Sequence, residues 1–232
     1  QNMLVHPQGA AARRVGTQFI AEVKSSSAKT RLIPFEFSTE QTYVLEFGNT
    51  YIRFFKDKGQ ILDGGSAYEI SSPYLTAELF ELKFAQSADV MYVTHPNHEV
   101  MKLSRTGHTS WTLAEVDFTD GPYLSENSTT TTLTPASAST GTGVNITASA
   151  VTGINGGAGF LTTDVGRVIS FNSGLAKITG RTNTTVVVVT ITKAFANTDA
   201  KTEWKLGAFS DTTGHPSCVS FFEQRLVFAG TN

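Results

Sequence analysis

Two histidines three residues apart, His95 and His98, are the first candidates for chemistry, because imidazoles at short spacing can share a metal ion. Pro96-Asn97 between them marks a hairpin tip, and Glu99 is the one carboxylate beside them, so the pair reads as a turn and not as a metal site. Carboxylates come second. Glu36, Glu46, Asp89, Glu99, Glu115 and Asp117 are spread over the first half of the chain, and two carboxyls held at a set distance are what glycoside hydrolysis requires. Alternation puts Glu46 opposite Leu45 and Phe47, on the exposed face of a strand, and Asp89 in a turn, so solvated surface is the expectation.

The remaining candidates are weaker. His6, His108 and His215 each sit beside Gly or Pro and read as exposed loop residues. Gly153–Gly159 lacks the spacing of a dinucleotide loop, and no serine lies in a G-x-S-x-G elbow. Asn127-Ser128-Thr129, Asn145-Ile146-Thr147 and Asn183-Thr184-Thr185 match glycosylation acceptors, as chance allows in Thr-rich sequence. Cys218 is the sole cysteine; it excludes an internal disulfide and reads as a small buried hydrophobe beside a strand. No residue is assigned a catalytic, cofactor-binding or metal-binding role, and no cofactor is expected.

The elements that must position these residues follow a repeat. Phe35 and Phe37 lead through the polar stretch 38–42 into Tyr43-Val44-Leu45-Glu46-Phe47; Leu82 and Phe84 lead through 85–89 into Val90-Met91-Tyr92-Val93. Val219-Ser220-Phe221 leads in the same way into Leu226-Val227-Phe228-Ala229-Gly230. Phe37 and Phe84 are 47 residues apart, and the step to Phe221 becomes similar once an insert of roughly 90 residues is removed, a period typical of propeller arrays. Apolar–polar alternation marks the segments as strands. Turn signals at Gly48-Asn49-Thr50, Asp57-Lys58-Gly59, His95-Pro96-Asn97-His98 and Thr106-Gly107-His108 divide each unit into short antiparallel strands, as in a propeller blade. In this register Phe37 and Phe84 are equivalent buried positions.

Composition agrees with an all-β chain. Sixteen Phe against three Met, with 16% charged residues among 232, favours β packing, and no apolar run reaches membrane-spanning length. A net charge of −2 argues against a grip on nucleic acid, which takes clustered Lys and Arg. Pro122–Gly214 differs from its flanks. It is rich in Thr, Ser, Gly and Ala, and its second half carries strand signals at 166–171, 175–180, 184–191 and 204–206. The expected organisation is residues 1–121 as an N-terminal segment and two propeller-type blades, 122–214 as an inserted β-sandwich or barrel of five or six strands, and 215–232 as the start of a further blade. A blade ending at Asn232 leaves an open edge, so the chain reads as a fragment.

A resemblance extends over nearly the whole chain. It is carried by the run from Asn2 through Arg14-Val15-Gly16-Thr17, by Thr30-Arg31-Leu32-Ile33-Pro34-Phe35-Glu36-Phe37, Tyr43-Val44-Leu45-Glu46-Phe47-Gly48, Leu103-Ser104-Arg105, Asp164-Val165-Gly166-Arg167 and Gly214-His215-Pro216. The most distinctive motif is Phe221-Phe222-Glu223-Gln224-Arg225-Leu226-Val227-Phe228-Ala229-Gly230-Thr231. These segments resemble a family of bacteriophage and prophage tail proteins, the nozzle or tail tubular protein B-like component of short-tailed phages. The resemblance implies a virion structural protein, made in the bacterial host cytoplasm and located in the phage tail. It implies propeller-containing subunits in a ring of identical copies, usually a hexamer, below the portal and adaptor, enclosing the DNA-ejection conduit and attaching to tail fibres or spikes. The family supplies no catalytic motif, DNA passes without specific binding, and this segment inserts in no membrane. A weakly acidic wall suits that role, because Lys-rich walls would hold the phosphates. The alternative from another class is a glycan-binding or glycan-cleaving propeller used in host adsorption, which would need two carboxylates about 5–10 Å apart in a cleft with aromatic platforms.

Overall fold

A computed structural model of the chain describes residues 3–7, 9–38 and 41–230; Gln1, Asn2, Gln8, Thr39, Glu40, Thr231 and Asn232, which fall within the expected first segment, the polar stretch 38–42 and the last motif, lie outside the described residues. The described chain is nearly all β. An N-terminal hairpin pairs β1 (Met3–Val5) with β2 (Ala11–Arg13). A first meander follows, in which β3 (Arg31–Glu36), β4 (Thr42–Gly48), β5 (Tyr51–Lys56) and β6 (Gly59–Gln60) pair antiparallel in that order. After a small hairpin of β7 (Leu62–Asp63) and β8 (Ser66–Ala67), β9 (Glu69–Ser71) returns to pair with β5. The second meander is β10 (Lys83–Ser87), β11 (Val90–His95), β12 (His98–Gly107) and β13 (Ser110–Glu115).

The two meanders share one core. Alternation sends Ile33 and Phe35 of β3, and Tyr43, Leu45 and Phe47 of β4, to the same side, where they meet Met91, Val93 and Leu103 of the second meander. Trp111 of β13 is the centrepiece: its ring stacks on Phe54 at 4.4 Å and meets Phe35 at 4.8 Å and Tyr43 at 5.3 Å edge to face. Each such ring contributes about 1.5–3 kcal/mol through the apolar area it removes from water. Two meanders and a hairpin form no closed ring of blades among the described residues.

The expected equivalence of Phe37 and Phe84 does not hold. Phe84 sits inside β10, three residues before the turn-proximal pair Ser87↔Val90, and packs on Phe47. Phe37 lies beyond the last pair of β3 and β4, Glu36↔Thr42, is exposed, and rests under the Arg105 guanidinium at 4.3 Å. The buried position of the first unit is Phe35. The reason is turn length: the first unit joins its strands through residues 37–41, the second through Ala88-Asp89 alone, so counting from the polar stretch misaligns the registers.

Residues 122–214 contain a six-stranded antiparallel sheet: β14 (Leu133–Pro135), β15 (Gly141–Ala148), β16 (Val168–Phe171), β17 (Gly174–Arg181), β18 (Val186–Lys193) and β19 (Trp204–Leu206), in the order β14-β15-β18-β17-β16-β19. The sheet curls into a half-barrel, and its two edges nearly meet: Leu133 and Lys201 exchange backbone hydrogen bonds of 2.9 and 3.0 Å, and the Trp204 indole donates to the Thr131 carbonyl at 2.9 Å. Its core, including Ile146, Phe160, Ile169, Val187 and Val189, has no residue in common with the core of the meanders. The strand Val186–Lys193 pairs only with β15 and β17. Entry and exit run side by side, with the Leu124 amide donating to Leu206 and the Ala208 amide to Pro122, both at 2.8 Å. One ion pair is buried here: Arg167 donates to Asp164 Oδ1 at 2.9 Å, with both side chains wholly inside. The Asp164 carboxylate also caps the turn by accepting from the Leu161 amide.

The last hairpin, β20 (Cys218–Phe222) with β21 (Arg225–Ala229), packs on β10 and β11, where Tyr92 meets the rings of Phe221 and Phe228 at 6.3 Å. Its tip Glu223-Gln224 has φ of 45° and 63°, the double left-handed turn that matches the twist of paired strands. Cys218 is exposed, against the expectation of burial, because it begins a surface strand with only one covered side.

Candidate functional site

Carboxylates do converge, at the junction between the second meander and the half-barrel. Met101 of β12 lies opposite Glu115 of β13, so Glu99, two residues earlier on the same face, is the diagonal neighbour of Glu115. The Gly166 turn closes over Glu99, and β17 brings Lys177 alongside, where its ammonium is 2.7 Å from Asp117. Burial first, then the hydrogen bond and negative charge of Glu115, push the Glu99 carboxyl up to about 7; Lys177 pulls the other way. Around neutrality the Glu99 carboxyl therefore still holds its proton part of the time. The cavity they line with Phe118, Val165 and His215 is about 60 Å³, room for a water or two but not for a sugar ring.

A second constellation lies at the tip of the β11–β12 hairpin. His95 and His98 are a cross-strand pair flanking Pro96-Asn97, with ring centroids 5.2 Å apart. The consecutive turns of residues 75–81 face them. Glu78 accepts from the Leu75 amide at 2.8 Å and lies 2.9 Å from His98 Nε2; Glu81 Oε2 lies 3.2 Å from His95 Nε2. One ligand atom each from Glu78, His95 and His98 falls within 4.8 Å of the other two. Burial pushes the Glu78 carboxyl up, but the Leu75 amide and His98 outweigh it and hold the group below the usual carboxylate range. Burial holds His95 below the ordinary imidazole value.

The other sequence candidates disperse. Glu36 is exposed, Asp89 is in its turn paired with Arg105 at 2.9 Å, and Asp117 is exposed. Glu46 departs from expectation: it is buried and accepts from the Tyr51 hydroxyl at 2.5 Å, which with burial raises Tyr51 to about 12. Both faces of β4 are covered at that point, so alternation does not imply exposure. His6 and His108 are exposed, the latter with Nδ1 2.7 Å from the Tyr43 hydroxyl. His215 is buried, contrary to its reading as an exposed loop residue, because its ring pairs with Asp211 at 2.9 Å and its amide donates to Pro96 at 2.9 Å. The Asn127 side-chain amide is committed to the carbonyls of Thr129, Thr131 and Thr202, a structural bracket.

Sequence reading passed over Glu78 and Glu81. Their spacing within a polar turn resembles any exposed loop, and nothing local links them to histidines some twenty residues on. No protein-family model matches the chain, and no curated protein matches it.

Proposed function

We propose that the chain is part of a virion structural protein of a short-tailed phage, a component of the tail nozzle that helps form the DNA-ejection conduit and joins identical copies, the adaptor and fibres. In this reading the two meanders and the last hairpin are successive propeller-type blades, and the half-barrel is a module hung on a loop between them. The observation that carries it is the N-terminal arm. Met3, Leu4, Val5, Val15 and Phe19 are all exposed, Val15 to 84% and Phe19 to 75%, although each would gain about 1.5–3 kcal/mol by burial. Lys24, where the arm reaches the first meander, is held by Glu69 and lies over the Tyr51 ring at 4.9 Å. An apolar arm of this kind suits docking onto a neighbouring chain.

The glycan-cleaving alternative finds no support at the Glu99–Glu115 pair. Glycosidases hold their two carboxyls at least about 5 Å apart to admit a sugar or a water. Glu99 and Glu115 instead line a cavity of about 60 Å³, too small for a sugar ring. The test is co-expression with the cognate adaptor, with and without residues 3–23, followed by mass measurement of the purified complex. Loss of the higher-order complex on deleting the arm supports the reading; an unchanged complex, or a monomer in both cases, contradicts it.

A further inference from the structure

His95 is fully buried, and its Nε2 has no hydrogen-bond partner, the Glu81 carboxylate at 3.2 Å lying too oblique to serve. A buried polar nitrogen left in this state is costly to the fold, so it calls for an occupant. The atoms around it are those of a ligand shell. From the geometry we infer that Glu78, His95 and His98 form a site for a divalent transition metal of the zinc type, with Glu81 at hand as the fourth donor. Two imidazoles with carboxylate oxygens suit a borderline ion such as Zn2+, whereas Mg2+ and Ca2+ take oxygen ligands throughout.

The spacing is close to what such an ion requires. Donors about 2.0–2.1 Å from a tetrahedral centre lie about 3.3 Å from one another. The His98–Glu78 separation is 2.9 Å and the His95–Glu81 separation 3.2 Å, and the three-residue set spans at most 4.8 Å. The carboxylates sit on a loop and close the remaining gap by side-chain rotation. Metal binding at His98 Nε2 replaces the hydrogen bond that this nitrogen now makes with Glu78. It also moves the single proton of neutral His95 from Nε2 to Nδ1, so the ring gives up the contact it now accepts there from the Asn97 amide, a long one at 3.2 Å beside an exposed tip. The product is a structural clip between the turns of residues 75–81 and the β11–β12 hairpin, with all four donors from the protein and no position kept open for substrate.

The experiment uses the whole chain stripped with chelator, titrated with Co2+ for its visible d–d bands and with Zn2+ for thermal unfolding. The expected result is one ion per chain, a tetrahedral Co2+ spectrum displaced by Zn2+, and a rise in unfolding temperature that Mg2+ does not reproduce. His98→Ala and Glu78→Gln should each weaken binding at least about 10- to 100-fold, while His6→Ala changes nothing. Both replaced side chains are only part-buried, so these variants can fold where a change at His95 would leave a cavity. Absence of a bound ion, or binding that persists unchanged in His98→Ala and Glu78→Gln, overturns the site.

Discussion

Replacing Glu99 with Gln should stabilise the protein at neutral and higher pH and leave it nearly unchanged at about pH 4. The folded chain holds the Glu99 proton up to about 7, against an ordinary value of 4.5, chiefly through burial and then through Glu115. Between those two pH values the folded state binds more proton than the unfolded state, so this group makes stability fall as pH rises, with the full loss reached above about pH 7. At 1.36 kcal/mol per tenfold change in acidity, the interval would be worth ~3.4 kcal/mol for a dry carboxyl. Glu99 is only half-buried, so water screening reduces this to about 1–2 kcal/mol. Glutamine imitates the protonated acid, and Lys177 keeps its partner Asp117. Urea unfolding of both proteins at pH 4, 5, 6, 7 and 8.5 should show nearly matching midpoints at pH 4 and an advantage for Glu99→Gln that grows between pH 5 and 7 and levels off above. His95, whose depressed value makes stability fall as pH drops below the ordinary imidazole range, is common to both and cancels in the difference. A difference that does not vary with pH, or a variant weaker at pH 8.5, would refute the retention of the Glu99 proton in the folded chain.

Four further substitutions probe the fold. Phe35→Ala should cost about 3–5 kcal/mol in denaturant unfolding and Phe37→Ala less than about 1, the reverse of what the sequence repeat implies. Asp164→Ala strands the buried Arg167 and should cost about 3–5 kcal/mol, measured as the loss in unfolding midpoint of the half-barrel. Gln224→Gly relieves a left-handed residue in the last turn and should raise stability by about 0.5–1 kcal/mol, read as a shift in thermal midpoint.

Strand content was legible wherever branched and aromatic residues alternate. Expected strands at 166–171, 175–180, 184–191 and 204–206 fall on β16 to β19 within about two residues. The strands β14 and β15 escaped because Leu-Thr-Pro and Gly-Thr-Gly-Val-Asn-Ile-Thr-Ala bury only Leu133, Pro135, Ile146 and Ala148, too few large apolar side chains to produce a pattern. Register failed where turn length varied, at Phe37, since alternation fixes a face only once the turn is known. The sites were hidden for a different reason. Glu99 meets Glu115 across a strand pair, and Glu78 meets His98 across separate loops; such meetings depend on tertiary pairing, which short-range spacing does not carry. Glu46 was misplaced because the rule that alternate residues face water assumes a sheet with one open side.

The proposed assembly into a phage tail is tested most directly by electron microscopy of the protein bound to its cognate adaptor. The expected image is a closed ring of identical copies around a channel, with the arm of residues 3–23 buried on a neighbour and the half-barrel projecting from between the meanders. Isolated single copies that never join the adaptor, with the arm still facing solvent, would contradict it.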